Sequence, residues 1–252
     1  MLYNKLQKKL LTQGLFHLPL AKTYIMRKLL FVFMASLFVF GNCHKDDASP
    51  TSTIDFLPLN SGTFWNYLVV NTAATTTTSN LLLTVTAKDT TVNAKTYKVL
   101  SNSTGANNYW AKVGNDYYRY GIIPGAALLG SVEELYFKDN VSANGTWTNT
   151  FSVNYNGTPV PVTANYKIAA VGQSKIVTAG TSSNTFSDVT QVQVSFTTTV
   201  PIFGIITLGT GDFYYAKGVG LVAQSISIAA NPLLGITTAS SVVWNIQSYQ
   251  IK

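Results

Sequence analysis

The residue types that carry nucleophilic and metal chemistry are almost missing from this chain. It has two histidines, His17 and His44, and one cysteine, Cys43, and all three lie within the first 44 of its 252 residues. The later residues therefore cannot supply a Ser-His-Asp or Cys-His catalytic group, or a zinc or copper site with histidine or cysteine ligands. We expect no metal and no cofactor there.

Carboxylate pairs are the remaining route to hydrolysis, since glycosidases place two acids about 5–10 Å apart. Glu133 and Glu134 are adjacent, and neighbouring residues of a strand point to opposite faces. Asp139, Asp188 and Asp212 are isolated in the sequence, so only the fold could bring them together. We expect these acids to be solvated or to lie in turns. We predict that the chain is not an enzyme, with a carboxylate glycosidase as the alternative left open.

The single cysteine follows a segment typical of an export signal. Met26-Arg27-Lys28 precedes an unbroken apolar run from Leu29 to Phe40, which is shorter than the about 20 residues needed to cross a hydrocarbon core. Gly41-Asn42-Cys43 follows at once. We predict that residues 1–42 are a leader and signal peptide that is removed, and that Cys43 is lipidated, with palmitate among its acyl groups. An ordinary signal peptide that happens to end near a cysteine is the alternative.

Most of the excess of basic over acidic residues lies in this leader. The formal net charge is +7, but six of the 17 basic residues and none of the ten acidic residues precede Cys43, so a chain beginning there carries +1. A nearly neutral domain lacks the basic face that displaces counterions, so we expect no nucleic-acid partner. We predict a lipidated tether over 43–53 and one all-β domain over 54–252.

Alternation with a period of two residues indicates strands throughout that domain. From Gln191 to Val200, apolar Val192, Val194 and Phe196 alternate with polar residues, a pattern that gives one buried and one solvated face. Asn-Gly and other turn signals separate the runs, and no sustained helical repeat follows Cys43. We predict an antiparallel fold of roughly a dozen short strands in a curved sheet, arranged as a sandwich or an open barrel. The last strand changes phase, which predicts a β-bulge near Gln247-Ser248.

Several short motifs resemble those of uncharacterised surface lipoproteins from Bacteroidetes-type bacteria. His44-Lys45-Asp46-Asp47 follows the lipobox-like cysteine, in the manner of a Lys-Asp-Asp export tag. The segment from Pro58 to Tyr67 reads PL-x-x-G-x-x-W-x-Y, and Gly218 to Val222 reads G-V-G-x-V. The resemblance implies an all-β, curved-sheet domain at the cell envelope, on the outer membrane and exposed at the cell surface. It implies no activity.

Two groups of residues are candidates for ligand contact. Trp110, Tyr118, Tyr120 and Trp147 belong to aromatic-rich segments, and an exposed row of such rings could stack on sugars or a peptide. The alternative is packing within the core.

Three apolar, glycine-containing loops form the second group. They cover residues 122–130, 201–209 and 232–236, and we take Phe203 and Leu233 as their representatives. If these loops converge at one end of the sheet, they form an apolar rim that contacts lipid, an apolar ligand or a partner protein. The alternative is that they fold back and close the end of the core.

The sequence therefore predicts a membrane-anchored, non-enzymatic β domain that binds a protein, a glycan or an apolar ligand at the cell envelope. A carrier-like β domain that holds an acyl chain is the alternative.

Overall fold

The computed structural model describes residues 55–123, 130–155, 158–200, 202–231 and 236–252. Cys43, Leu233 and the leader lie outside the described residues. The described part contains strands and connections but no helix, and so no helix that is long and apolar enough to cross a bilayer. The strands are β1 (Phe64–Thr72), β2 (Thr76–Val92), β3 (Lys95–Asn102), β4 (Asn107–Val113), β5 (Asp116–Ile122), β6 (Ser131–Lys138), β7 (Thr146–Tyr155), β8 (Thr158–Ala179), β9 (Ser182–Val200), β10 (Gly204–Ala216), β11 (Gly220–Ile228) and β12 (Ser240–Gln250).

All twelve strands form one antiparallel sheet in the order β6-β5-β4-β3-β2-β1-β12-β11-β10-β9-β8-β7. Except for β12 beside β1, strands that are neighbours in the sheet are also consecutive in the chain. The outer strands β6 and β7 approach each other, because the Asn149 side chain accepts a hydrogen bond from the Leu135 amide at 2.7 Å and the Trp147 indole donates to the Leu135 carbonyl at 2.9 Å. The sheet therefore curls into a nearly closed barrel, which is the open-barrel form of the predicted architecture.

Successive hairpins alternate between the two rims of this barrel. We call one the tip rim; it holds the connections β1–β2, β3–β4, β5–β6, β7–β8, β9–β10 and β11–β12. The opposite rim, which we call the base rim, holds the other connections, the first described residue Asp55 and the last residue Lys252. Asp55 is fixed there, since its carbonyl accepts a hydrogen bond of 2.7 Å from the Gly218 amide in the β10–β11 turn.

The core fills the inside of the barrel with aromatic and branched side chains. Fully buried members include Trp65, Tyr67, Tyr166, Phe196 and Phe213. Residues 54–252 form one compact unit, and the described ladders and core contacts lie within it. A chain that begins at Ile54 therefore contains the interactions that hold the barrel together.

The strands contain a bulge in β12 and a tight turn between β2 and β3. In the ladder between β1 and β12, Asn66 is paired with Ser248 and Tyr67 with Ile246, so no residue of β1 lies opposite Gln247. This confirms the bulge predicted near Gln247-Ser248. In the β2–β3 turn, Asn93 and Ala94 both have positive φ, as a tight two-residue hairpin requires.

Candidate functional site

The charged residues of the domain are segregated toward the base rim. Each of the six tip-rim connections lies within a long segment that has no Asp, Glu, Lys or Arg. These segments are residues 56–87, 99–111, 120–132, 140–166, 189–211 and 218–251. The charged residues of 55–252 all fall outside these segments, so none of them lies in a tip-rim connection. The tip rim is therefore an uncharged surface, and ionic attraction cannot dominate what it binds.

The tip of the β9–β10 hairpin adds apolar side chains to that uncharged rim. Ile202 is 101% exposed, Phe203 61% and Ile205 76%. The turn is tight, because the Phe203 amide donates to the Val200 carbonyl at 3.1 Å. Ile202 and Phe203 lie in the turn and Ile205 lies at the start of β10, so three large apolar side chains are exposed within four residues. Exposed apolar patches often mark contact sites.

The same turn contains a strained backbone position. Ile202 has a φ of +74°, in the left-handed region that β-branched residues strongly avoid. Glycine or asparagine would fit this position better. Because the Ile202 side chain is also fully exposed, no burial offsets this strain.

The apolar segment 201–209 proposed as a loop is a loop only in part, because residues 204–209 belong to strand β10. Its described turn residues, 202 and 203, lie at the tip rim. Phe203 lies there and is exposed. Leu233 lies outside the described residues, as do 124–129 and the rest of 232–235.

The aromatic candidates are not gathered at this rim. Trp147 is buried and stacks on Tyr166 with ring centroids 5.1 Å apart, and Trp110 is buried against Trp65. Both indoles therefore expose little surface to a ligand. Tyr118 and Tyr120 are half-buried: the Lys95 ammonium lies 4.7 Å from the Tyr118 ring centroid, and Tyr120 contacts Tyr109.

A buried ionic group inside the barrel was not predicted from the sequence. Glu133 and Glu134 point to opposite faces, as expected, but Glu134 is fully buried and not solvated. Its carboxylate accepts hydrogen bonds from the Arg119 guanidinium and the Tyr166 hydroxyl. These partners lie 15 and 32 residues away in the chain, so no local pattern in the sequence reveals them.

The ionisation of this group follows from burial and the pairing with Glu134. Burial alone disfavours the charge on Arg119, but the adjacent Glu134 carboxylate and its hydrogen bond raise the pKa of Arg119 above its ordinary value. Burial, followed by the charge of Glu134, raises the pKa of Tyr166 well above 10. Arg119 thus stays cationic and Tyr166 stays neutral.

The space beside Arg119 is small. A cavity of about 10 Å³, lined by Leu57, Trp110, Arg119, Tyr136, Tyr215 and Leu221, lies within the core. That is about the room one water molecule needs, and the buried Nη2 of Arg119 has no hydrogen-bond partner in the protein. The cavity is far too small for an acyl chain or a sugar ring.

Two acids that are distant in the sequence, Asp55 and Asp139, meet at the base rim. The Tyr117 hydroxyl lies 2.5 Å from an Asp55 oxygen and 2.8 Å from an Asp139 oxygen. The Lys112 ammonium approaches the same two carboxylates at 2.9 and 3.4 Å. Lys112 and the Tyr117 hydroxyl thus bridge the two acids and fix the start of the domain to β4 and β5. Among the described residues, no group of three His, Cys, Asp or Glu side chains could hold a metal ion.

No family model matches the chain, and no curated protein matches it significantly. Among solved structures, a candidate lipoprotein from Parabacteroides distasonis is similar with a TM-score of 0.44 and 13% identity, over 78% of this chain and 99% of that chain. A candidate exported protein with a YmcC-like fold from Bacteroides fragilis has a TM-score of 0.36 and 11% identity, over 78% of this chain and 99% of its own. The hypothetical lipoprotein YmcC from Escherichia coli has a TM-score of 0.35 and 11% identity, over 84% and 93%. Similarity at this level transfers neither a function nor a site to this chain.

Proposed function

We propose that the chain is a lipid-anchored, non-enzymatic binding protein of the cell envelope, and that the uncharged tip rim is its contact surface. Residues 1–42 would be removed, acyl groups on Cys43 would hold the protein in the outer membrane, and residues 43–53 would serve as the tether. The observation that carries the proposal is the exposed, strained Ile202-Phe203 turn on a rim without charge.

The position of the tether fits this role. Asp55 is bound at the base rim, whereas the exposed turn lies at the other end of β10, a strand of 13 residues that spans roughly 40 Å. Eleven residues separate Asp55 from Cys43 in the sequence, so the anchor would join the domain at its base rim. The tip rim is the end of the barrel opposite to this junction.

An apolar partner is the one that this rim favours. Ile202, Phe203 and Ile205 offer apolar area, and the neighbouring tip segments offer threonine and serine but no ionic groups. Burial of such a tip in a lipid surface or an apolar protein surface gains free energy in proportion to the area removed from water. Salt should have little effect on that association.

Neutral phosphatidylcholine vesicles test the contact surface directly. Residues 54–252, which lack the anchor, would be sedimented with the vesicles. We expect the unmodified domain to bind, and Phe203→Ser with Ile205→Ser to lower the partition coefficient about tenfold or more, as expected for loss of partial burial of two large apolar side chains. Raising the salt concentration should leave binding unchanged.

Ile176→Ser is the matched control. Ile176 is also an exposed isoleucine on a strand, at 65%, but it lies in β8 close to the base rim. Binding by this variant should equal that of the unmodified domain. Equal binding by the tip variants and Ile176→Ser would contradict the assignment of the tip rim, as would binding that disappears in salt.

A further inference from the structure

A row of small hydrogen-bonding side chains crosses the outer face of seven adjacent strands. Strand register places them directly beside one another, one from each strand from β7 to β12 and then β1: Thr148, Asn165, Ser195, Thr210, Ser227, Ser241 and Thr72. We call this the hydroxyl row. None of its members is charged or aromatic, and neighbouring strands are about 4.8 Å apart, so the row is roughly 29 Å long.

Two concave regions lie along this row and meet at Thr210. One has a volume of about 620 Å³ and includes Thr148, Asn165, Ser195 and Thr210 in its lining. The other has a volume of about 460 Å³ and includes Thr210, Ser227, Ser241 and Thr72. Together they form one shallow furrow whose length is occupied by the hydroxyl row.

The two walls of the furrow differ in charge. Toward the tip rim, the next outward row is Thr150, Thr163, Thr197 and Thr207. Toward the base rim, it includes Lys167, Gln193 and Asp212. An Asp212 oxygen already accepts hydrogen bonds from Gln191 at 2.8 Å and Gln193 at 3.2 Å. The furrow itself is neutral, with one charged pair of opposite sign at its lower edge.

The hydroxyls of the row are available to a ligand. In the described part of the chain, Asn165 donates to Thr197 at 3.1 Å, but the hydroxyls of Ser195, Thr210, Ser227 and Ser241 make no hydrogen bond within the protein. Each hydroxyl can donate one hydrogen bond and accept two. The furrow thus offers a repeated, uncharged row of hydrogen-bonding groups, with Val194, Gly211 and Ile228 also in its lining. Such a row suits a ligand that carries hydroxyl groups along its whole length.

From this geometry, we propose that the furrow binds an extended, uncharged glycan chain. An anionic polymer would gain little, because the row has no cations, and an apolar ligand would bury the hydroxyls without partners at a cost in free energy. The inference is independent of the apolar tip, since none of the seven residues of the row belongs to the β9–β10 turn.

Affinity electrophoresis of residues 54–252 tests the glycan proposal. The gels would contain dextran, hydroxyethyl cellulose, galactomannan or xylan as neutral polymers, and alginate as an acidic one. We expect retardation by at least one neutral polymer, little change with salt, and none by alginate. Thr210→Val with Ser227→Ala should raise the dissociation constant about tenfold, as expected for two lost neutral hydrogen bonds.

Thr78→Val is the control, because Thr78 is an exposed threonine of β2 outside the furrow. It should bind like the unmodified domain. Migration unaffected by every neutral polymer, retardation by alginate alone, or equal binding by the furrow variant and Thr78→Val would each overturn the proposal. Vesicle binding by the furrow variant should be unchanged, which separates this test from that of the tip rim.

Discussion

Replacement of Glu134 by leucine tests how the barrel tolerates an ionic group in its interior. Glu134 is fully buried and is bonded to Arg119 and Tyr166. Without it, the Arg119 guanidinium would remain in the core with no counter-charge, beside a cavity that admits about one water molecule. We expect Glu134→Leu to lower the free energy of unfolding by about 4 kcal/mol, which is the usual cost of breaking a buried ion pair from one side.

Two further variants separate this effect from the general cost of substitution. Glu133→Leu removes the neighbouring carboxylate, whose pair with Lys95 is partly exposed, so we expect a loss of about 1 kcal/mol or less. Arg119→Met combined with Glu134→Leu removes both charges, and most of the lost stability should return, because apolar replacement of a whole buried pair is often neutral.

Urea unfolding followed by tryptophan fluorescence measures these differences, with far-ultraviolet circular dichroism to confirm the strand content. In a domain of this size, a loss of about 4 kcal/mol corresponds to a fall in Tm of roughly 8–16 °C. The reasoning would be refuted if Glu134→Leu were no more harmful than Glu133→Leu. It would also be refuted if the double variant were as unstable as Glu134→Leu alone.

Three other predictions concern the turn, the tyrosines and the close packing of the sheet. Ile202→Asn should raise the free energy of unfolding by about 0.5–1 kcal/mol in urea, because asparagine tolerates positive φ, and it should also weaken vesicle binding; a loss of stability would contradict the strain at this turn. Burial raises the pKa of Tyr67, Tyr166 and Tyr215 well above 10, so their contribution to stability is complete below about pH 10 and is lost as the pH rises further. In an absorbance titration at 295 nm, these three should ionise only as near-ultraviolet circular dichroism reports unfolding, and ionisation near pH 10 in the folded protein would exclude their burial. Gly211→Ala should destabilise the domain by about 1–3 kcal/mol, since a Cβ there would lie 2.9 Å from the Ser225 carbonyl oxygen and 3.2 Å from Val194 Cγ1; a thermal melt of the variant equal to that of the parent would contradict this packing.

The elements of the fold could be predicted because their signals are local. Alternation marked the strands, turn residues marked the hairpins, and the change of phase in β12 located the bulge at Gln247. The burial of Glu134 in the core could not be predicted from such local signals. Its burial depends on Arg119 and Tyr166, which meet it only after the sheet has curled.

The candidate sites also combine features that are local in the sequence with features that depend on the folded sheet. The sequence singled out Phe203 within an apolar segment, but it left open whether that side chain lies on the surface or in the core, and its exposure follows from the structure. The separation of charges between the rims was also present in the sequence, as alternating charged and uncharged segments, but its meaning required the strand order. The hydroxyl row depends on register across seven strands, and a shift of one residue in any ladder would break it.

Labelling of single cysteines in intact envelopes tests the central claim most directly. The chain has one cysteine, so Ile202→Cys or Ile176→Cys adds a single second thiol to the lipidated protein. Under the proposed function, Cys43 is acylated and does not react with a maleimide, the thiol at position 176 reacts freely, and the thiol at position 202 is protected in envelopes but reactive after purification. Equal reactivity at positions 202 and 176 in envelopes would contradict a contact at the tip rim, and a reactive Cys43 would contradict the anchor.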